Sequence, residues 1–292
     1  MTLEIEDLVV EYPSRGFRTS PYRALHGVSL RIAPGETLGL VGESGSGKTT
    51  IGRAVLGLAP VTSGSIRLDG QEISSLSRRA RRPLARRVQV VFQDPYTSLN
   101  PVMQVGDILA EPLRAQGLSR SDASTRISTL LGQVGLPPDA ISRTPREFSG
   151  GQRQRVAIAR ALAIDPELIV CDEPVSALDL TTQARVLALL TEIQERTGVS
   201  YLFISHDLAV VRAISHRVAV LYGGRIVEEG DAGIVTAHPV DPYTQKLLLS
   251  APVPDPVEQT RRRTARLALV DGASAAVSPA AEAYRVRSGD AA

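Results

Sequence analysis

The chain has 292 residues, of which 43% are hydrophobic and 22% charged, and its formal net charge is +2. This composition indicates a soluble globular protein with a full hydrophobic core, and the small net charge gives no support for nucleic-acid binding. No apolar run approaches the ~18 residues of a membrane-spanning helix, the N-terminus lacks the layout of a signal peptide, and the single cysteine, Cys171, excludes an internal disulfide. We therefore expect a protein of the reducing cytosol.

The first part of the chain predicts three strands followed by a loop and a helix. Residues 3–12 give the first strand, which ends at Tyr12, residues 28–32 give the second, and the apolar run 37–41 gives the third. Gly-Glu-Ser-Gly-Ser-Gly-Lys-Thr-Thr follows at 42–50, and residues 51–56 favour a helix. This order, with the complete pattern G-x-x-x-x-G-K-[ST], predicts a phosphate-binding P-loop.

The residue types of this loop suit a nucleoside triphosphate. Glycines let the backbone N–H groups point inward, and the positive end of the helix dipole favours phosphate. The Lys48 ammonium can reach the β- and γ-phosphates, and the Thr49 hydroxyl can coordinate Mg²⁺. Only Lys48 and Lys246 are lysines among 33 basic residues, which favours a binding role here over a mere Gly-rich turn. The predicted nucleotide-binding residues are Gly42, Glu43, Ser44, Gly45, Ser46, Gly47, Lys48, Thr49 and Thr50.

A second core strand, 88–92, ends at Gln93, where open α/β sheets place ligand-contacting groups. Before it, the arginine-rich stretch 78–87 has two interpretations, a solvated surface segment or a contact with phosphates or an acidic partner. After it, residues 104–116, 122–134 and 151–164 have helical periodicity and are separated by Gly/Pro loops. They predict a helical insertion between two core strands.

Two short motifs close this insertion. Ser-Gly-Gly-Gln at 149–152 precedes the third helix, where exposed N–H groups at a helix N-terminus can bind an anion. The apolar strand 168–172 ends in two carboxylates. Asp172 is placed to hold Mg²⁺ and Glu173 to accept a proton from an attacking water, although two acids can also simply end a strand. Cys171 is interpreted as a core residue.

The remaining elements bring one histidine to the same edge of the sheet. An amphipathic helix at 181–196 leads to the core strand 201–205, and His206 follows directly. The other histidines, His26, His216 and His238, are interpreted as surface or packing residues. Residues 217–222 and 225–229 predict a hairpin, 243–250 a helix, and 253–292 a loosely ordered tail.

Together these motifs resemble an ATP-binding-cassette (ABC) ATPase over roughly residues 1–250. The set is complete and in order: Walker A at 42–49, the Q-loop residue Gln93, the signature Ser149, Gly150, Gly151 and Gln152, the Walker B residue Asp172, the catalytic Glu173, the D-loop ending at Asp179 and the switch residue His206. The resemblance implies that Glu173, His206, Lys48 and Gln93 are catalytic, that Thr49, Gln93 and Asp172 bind the metal, and that the signature residues and Asp179 contact nucleotide. Tyr12 matches the aromatic residue that stacks on adenine, although it can equally be a strand-packing tyrosine.

Segments 91–101, 171–179 and 238–244 look most like the "F"-type ATPase subunits of peptide/nickel importers. Two features depart from these subunits: Phe148 stands where leucine is usual, and 253–292 lacks the cysteines that bind iron–sulfur in many of them. The resemblance implies an α/β ABC nucleotide-binding domain at 1–252, with a RecA-like core, an antiparallel β subdomain and a helical subdomain at about 95–165. Its implied cofactors are ATP and Mg²⁺.

The implied role is to power uptake of di- or oligopeptides from the cytoplasmic face of the membrane, as a peripheral subunit. The implied partners are a second ABC subunit, identical or not, two permeases and, indirectly, a solute-binding protein, with no nucleic acid. Two alternatives stay open: an importer subunit for nickel or another small solute, and a soluble ABC ATPase acting on ribosomes or DNA. A non-catalytic partner cassette would usually have a degenerate Walker B or switch residue, and here both are intact.

Overall fold

The computed structural model describes residues 1–13, 21–250, 261 and 264, which form two sheets surrounded by helices. The strands are β1 (Leu3–Tyr12), β2 (Tyr22–Ile32), β3 (Thr37–Val41), β4 (Ser63–Leu68), β5 (Gln71–Glu72), β6 (Val88–Val91), β7 (Leu168–Asp172), β8 (Ser200–Ser205), β9 (Arg217–Tyr222) and β10 (Arg225–Asp231). The helices are α1 (Lys48–Val55), α2 (Leu84–Arg87), α3 (Pro95–Ser98), α4 (Val105–Ala115), α5 (Arg120–Gln133), α6 (Gly150–Leu162), α7 (Leu180–Thr197), α8 (Leu208–Ile214), α9 (Ala232–Ala237) and α10 (Pro242–Ser250). The predicted tail, 253–292, lies outside the described residues except for 261 and 264.

The larger sheet has the strand order β10-β9-β3-β8-β7-β6. Its strands are parallel except β10, which pairs antiparallel with β9 as the predicted hairpin. Every residue of β3 and β8 is buried, as expected for parallel strands covered on both faces. Because the strands are parallel, the residues that follow β3, β6, β7 and β8 emerge at one edge of the sheet.

The smaller sheet is antiparallel, in the order β2-β1-β4-β5, and shares a hydrophobic core with the larger one. Helix α1 belongs to this shared core through Ile51, Ala54 and Val55. At Gly52 an added Cβ would lie 3.0 Å from a Val170 methyl group, so α1 packs directly on the parallel sheet. The sheet therefore fixes the position of the loop that precedes α1.

Helices α3 to α6 form the predicted insertion between β6 and β7, and α4, α5 and α6 pack on one another. Helices α4, α5 and α6 begin and end within about two residues of their predicted bounds, whereas the short helix α3 was not predicted. Within residues 1–13, 21–250, 261 and 264, no helix combines the length and the apolar character that crossing a bilayer requires. The division into a domain at 1–252 with a subdomain at 95–165 stays a prediction.

Two arginines of the stretch 78–87 have structural roles that the sequence did not indicate. The Arg81 guanidinium donates to the carbonyl oxygens of Val55 (3.1 Å) and Ile73 (2.8 Å). Arg87 pairs with Glu167 (2.7 Å) and also with Asp69. The other four arginines of the stretch are exposed, as the surface interpretation predicts, whereas Arg81 and Arg87 are partly buried and hydrogen-bonded within the protein.

Candidate functional site

The loop between β3 and α1 approaches its neighbours too closely for side chains at two of its glycines. At Gly42 a Cβ would lie 2.1 Å from the carbonyl oxygen of Leu221, and at Gly47 it would lie 2.7 Å from Leu25. Gly47 also has φ +109°, a conformation that other residues rarely adopt. Glycine is therefore required at both positions, because this loop passes close to β2 on one side and to β9 on the other.

Lys48 is the only lysine in this loop, and its side chain lies inside it. Its ammonium donates to the carbonyl oxygens of Gly42 (2.7 Å) and Glu43 (2.9 Å), and the residue is 5% exposed. Burial lowers the pKa of Lys48, while the negative charges of Glu173, Asp172 and Glu43 act in the opposite direction. The hydroxyl of Ser46 is buried in the same loop without a hydrogen-bond partner among the described residues. A phosphate group would satisfy both side chains.

Thr49 and Asp172 come together from two different elements. The Thr49 hydroxyl, in the first turn of α1, donates to Asp172 Oδ1 at 2.9 Å. Burial, and then the nearby charge of Glu173, raise the pKa of Asp172, against the effect of the Thr49 hydrogen bond. In the described ranges no group of three or more His, Cys, Asp or Glu residues could hold a metal unaided. Two hard oxygen donors nevertheless fit Mg²⁺, which normally completes its shell with water and phosphate oxygens.

Glu173 lies at the centre of a cluster of three side chains, each of which follows the end of a different strand. Its Oε2 accepts a hydrogen bond from Gln93 Nε2 (3.3 Å) and lies 3.1 Å from His206 Nδ1. The backbone of Glu173 has φ +49°, and its N–H donates to the Ile204 carbonyl at 3.0 Å. This left-handed conformation is uncommon for a glutamate, and it turns the chain directly after the buried strand β7. Gln93 and His206, which were predicted separately from their strand ends, therefore both contact Glu173.

An open cleft of about 580 Å³ contains these groups. It is lined by Tyr12, Tyr22, Ala24, Ser44, Gly45, Gly47, Lys48, Thr49, Thr50, Gln93, Glu173 and His206. Tyr12 lines the cleft, as a residue that stacks on adenine would. It also packs against the core shared by the two sheets, as a strand-packing tyrosine would, so its position is compatible with both interpretations. Sequence reasoning missed Tyr22, which is 60% exposed and lies opposite Tyr12 in the β1–β2 register.

The signature residues lie elsewhere, and none of them lines this cleft. Ser149 caps α6, because its hydroxyl accepts from the Gln152 N–H (3.3 Å) while Gln152 Oε1 accepts from the Ser149 N–H (2.9 Å). Ser149, Gly151 and Gln152 line a separate cleft of about 420 Å³ that includes Thr182. At Gly151 a Cβ would lie 2.3 Å from a Thr182 methyl group, so only glycine permits this approach of α6 to α7.

Asp179 lines neither cleft, but it contacts Thr182, which lines the second one. It caps α7, and its carboxylate accepts from the Thr182 N–H (2.9 Å) and hydroxyl (2.7 Å). Gly150, the remaining signature residue, is the first residue of α6. Within one chain, the predicted nucleotide-binding residues thus form two separate surfaces.

Comparison with known proteins identifies the family of the chain. Residues 25–176 match the ABC transporter family. A Brucella abortus (strain 2308) protein named for peptide import and ATP binding is 57% identical over 79% of this chain and 70% of its own length. The glutathione import ATP-binding protein GsiA of Salmonella typhimurium (strain LT2) is 49% identical over 92% of this chain but only 44% of its own length.

Solved structures show the same fold. The dimeric, post-hydrolysis structure of the ATP-binding cassette MJ0796, bound to ADP and Pi, aligns with a TM-score of 0.71 and 29% identity over 79% of this chain and 98% of that one. CbiO1 of Clostridium perfringens, part of a transporter complex, aligns with a TM-score of 0.72 and 27% identity over 81% and 90% of the two chains. The predicted α/β cassette fold is therefore confirmed. The chain belongs to the ABC transporter family, and within that family it is an ATP-binding, ATP-hydrolysing subunit.

Proposed function

We propose that this chain hydrolyses ATP to power the uptake of di- or oligopeptides through partner permeases at the cytoplasmic face of the membrane. The observation that supports the hydrolytic part is the convergence of Lys48, Glu173 and His206 on one cleft. The peptide part rests on the Brucella relative and on GsiA, because glutathione is itself a short peptide. Nickel or another small solute is the alternative cargo that the sequence left open.

In the proposed reaction, the P-loop N–H groups and the Lys48 ammonium bind the phosphates of ATP while Tyr12 stacks on adenine. A water oxygen attacks the γ-phosphorus, the bond to the β–γ bridging oxygen breaks, and ADP leaves. Glu173 takes the proton of the attacking water, and His206 and Gln93 hold its carboxylate in place. Thr49, Asp172 and Gln93 would hold Mg²⁺, which would supply positive charge that stabilises the negative charge of the phosphates.

We further propose that the cleft is completed by a second cassette. The signature surface, with Ser149 and Gly151, faces a different cleft from the P-loop in the same chain. A head-to-tail pair would place the α6 N-terminus of one subunit, with its Ser149, Gly150, Gly151 and Gln152, against the γ-phosphate held by the other. The dimeric structure of the MJ0796 cassette supports such a pair.

The test is to purify the chain with its permeases and to measure phosphate release in liposomes. We expect stimulation by a binding protein loaded with a di- or tripeptide and none by the same binding protein without peptide. The Glu173→Gln complex, which should still assemble, controls for ATPase contamination. Stimulation by nickel-loaded binding protein alone would change the cargo. Failure to associate with permeases, together with stimulation by ribosomes or DNA, would favour a soluble ABC ATPase.

A further inference from the structure

A tyrosine near the end of the described chain contacts the P-loop. The Tyr243 hydroxyl, in α10, accepts a hydrogen bond from the backbone N–H of Glu43 at 2.8 Å, although 200 residues separate the two in sequence. Tyr243 belongs to none of the motifs to which the hydrolytic reaction has been assigned. The roles assigned to those motifs therefore do not explain this contact.

The contacted N–H shares a peptide unit with a group that holds Lys48. The N–H of Glu43 and the C=O of Gly42 belong to one planar peptide, and that C=O accepts from the Lys48 ammonium at 2.7 Å. The tyrosine hydroxyl and the ammonium thus bind the opposite edges of one planar peptide, its N–H and its C=O. A rotation of this peptide that breaks one hydrogen bond also weakens the other.

Tyr243 is itself held by well-formed contacts. Its ring packs on that of Tyr222 with a centroid distance of 4.2 Å, and its N–H donates to the Asp241 carboxylate at 2.8 Å. The Glu228 carboxylate, on β10, accepts from the N–H groups of Val240 (2.8 Å) and Asp241 (3.1 Å). The start of α10 is therefore attached to the β9–β10 hairpin, which also contacts the P-loop where Leu221 approaches Gly42.

We propose that Tyr243 is a positioning residue of the nucleotide site, which fixes the Gly42–Glu43 peptide and, through it, the Lys48 ammonium. This role goes beyond the transport function and does not depend on the identity of the cargo. It makes α10 part of the frame of the P-loop. Burial raises the pKa of Tyr243 above its usual value, so the hydroxyl is neutral near pH 7, as that of an ordinary tyrosine also is.

The decisive variant is Tyr243→Phe, which keeps the ring and removes the hydroxyl. We expect ATP to bind more weakly, with a dissociation constant 2- to 10-fold larger than that of the parent, measured in the Glu173→Gln background where hydrolysis is suppressed. With Glu173 intact, KM should rise by the same factor while kcat stays within about twofold, because the lost contact acts on bound substrate and transition state alike. Hydrogen exchange of the Glu43 amide in nucleotide-free protein should be faster.

Tyr222→Phe is the matched control, since it makes the same change on the other, half-exposed ring and leaves the bond to Glu43 in place. It should leave ATP affinity and the Glu43 exchange rate at parental values. Equal Glu43 exchange in Tyr243→Phe and parent would overturn the bond itself. Equal ATP dissociation constants, or an equal loss in Tyr222→Phe, would overturn the positioning role.

Discussion

Replacing Glu173 with glutamine tests the assignment of the proton acceptor. Glutamine matches glutamate in size and keeps an oxygen that can face Gln93 and His206, which lie 3.3 and 3.1 Å from Glu173 Oε2. The variant loses only the ability to take a proton from water, an effect of about 10²–10⁴-fold on turnover. This factor corresponds to about 3–5 kcal/mol of transition-state stabilisation. Since Lys48 and the P-loop are untouched, ATP affinity should stay within about twofold of the parent.

The assay is phosphate release under single-turnover conditions, combined with equilibrium ATP binding. The variant should also accumulate as an ATP-bound dimer in size-exclusion chromatography, because trapped ATP would hold two cassettes together. Glu195→Gln, the same change at an exposed position of α7, is the matched control and should turn over at the parental rate. Near-parental turnover in Glu173→Gln would refute the role of Glu173 as base.

Three further predictions concern other parts of the site. Lys48→Ala should lose ATP affinity as well as rate, since the ammonium contacts phosphate in the ground state, and an unchanged affinity in nucleotide titration would contradict its assignment. Asp172→Asn should raise the melting temperature of the nucleotide-free protein at pH 7–8, because the pKa of Asp172 is raised in the folded state and its negative charge therefore opposes folding at that pH. This gain in melting temperature should disappear as the pH falls through the raised pKa. Equal melting temperatures of the variant and the parent at pH 7–8 would contradict the prediction. Val102→Ser, at a position 70% exposed beside α3, should spare basal ATPase but abolish stimulation by peptide-loaded binding protein in the assembled complex, and unchanged stimulation would move the permease contact elsewhere.

The convergence of Gln93, Glu173 and His206 could be predicted because it depends on strand order and direction rather than on side-chain detail. Gln93, Glu173 and His206 each follow a buried strand, and parallel strands end at one edge of a sheet. The P-loop likewise needed only its local pattern. Most of the core strands, the long helices and the closing hairpin followed from hydrophobic periodicity and turn residues, whereas the second strand was predicted at 28–32 and in fact begins at Tyr22.

What the sequence did not reveal depends on packing between distant segments. Tyr22 reaches the cleft only through the register of the β1–β2 pair, and Tyr243 reaches Glu43 only because α10 folds back along the hairpin. Arg81 and Arg87 look identical in charge pattern to their exposed neighbours. Short helices such as α8, with seven residues, complete too few turns to give a clear period.

ATP-driven peptide uptake is tested most directly by measuring the accumulation of a labelled dipeptide in liposomes that contain the chain with its permeases and binding protein. We predict ATP-dependent accumulation with the parental chain. With Glu173→Gln, accumulation should fall by about 10²-fold or more, in proportion to the loss of phosphate release. Accumulation that continues at the parental rate in Glu173→Gln, or vigorous ATP hydrolysis with no dipeptide entering the vesicles, would contradict it.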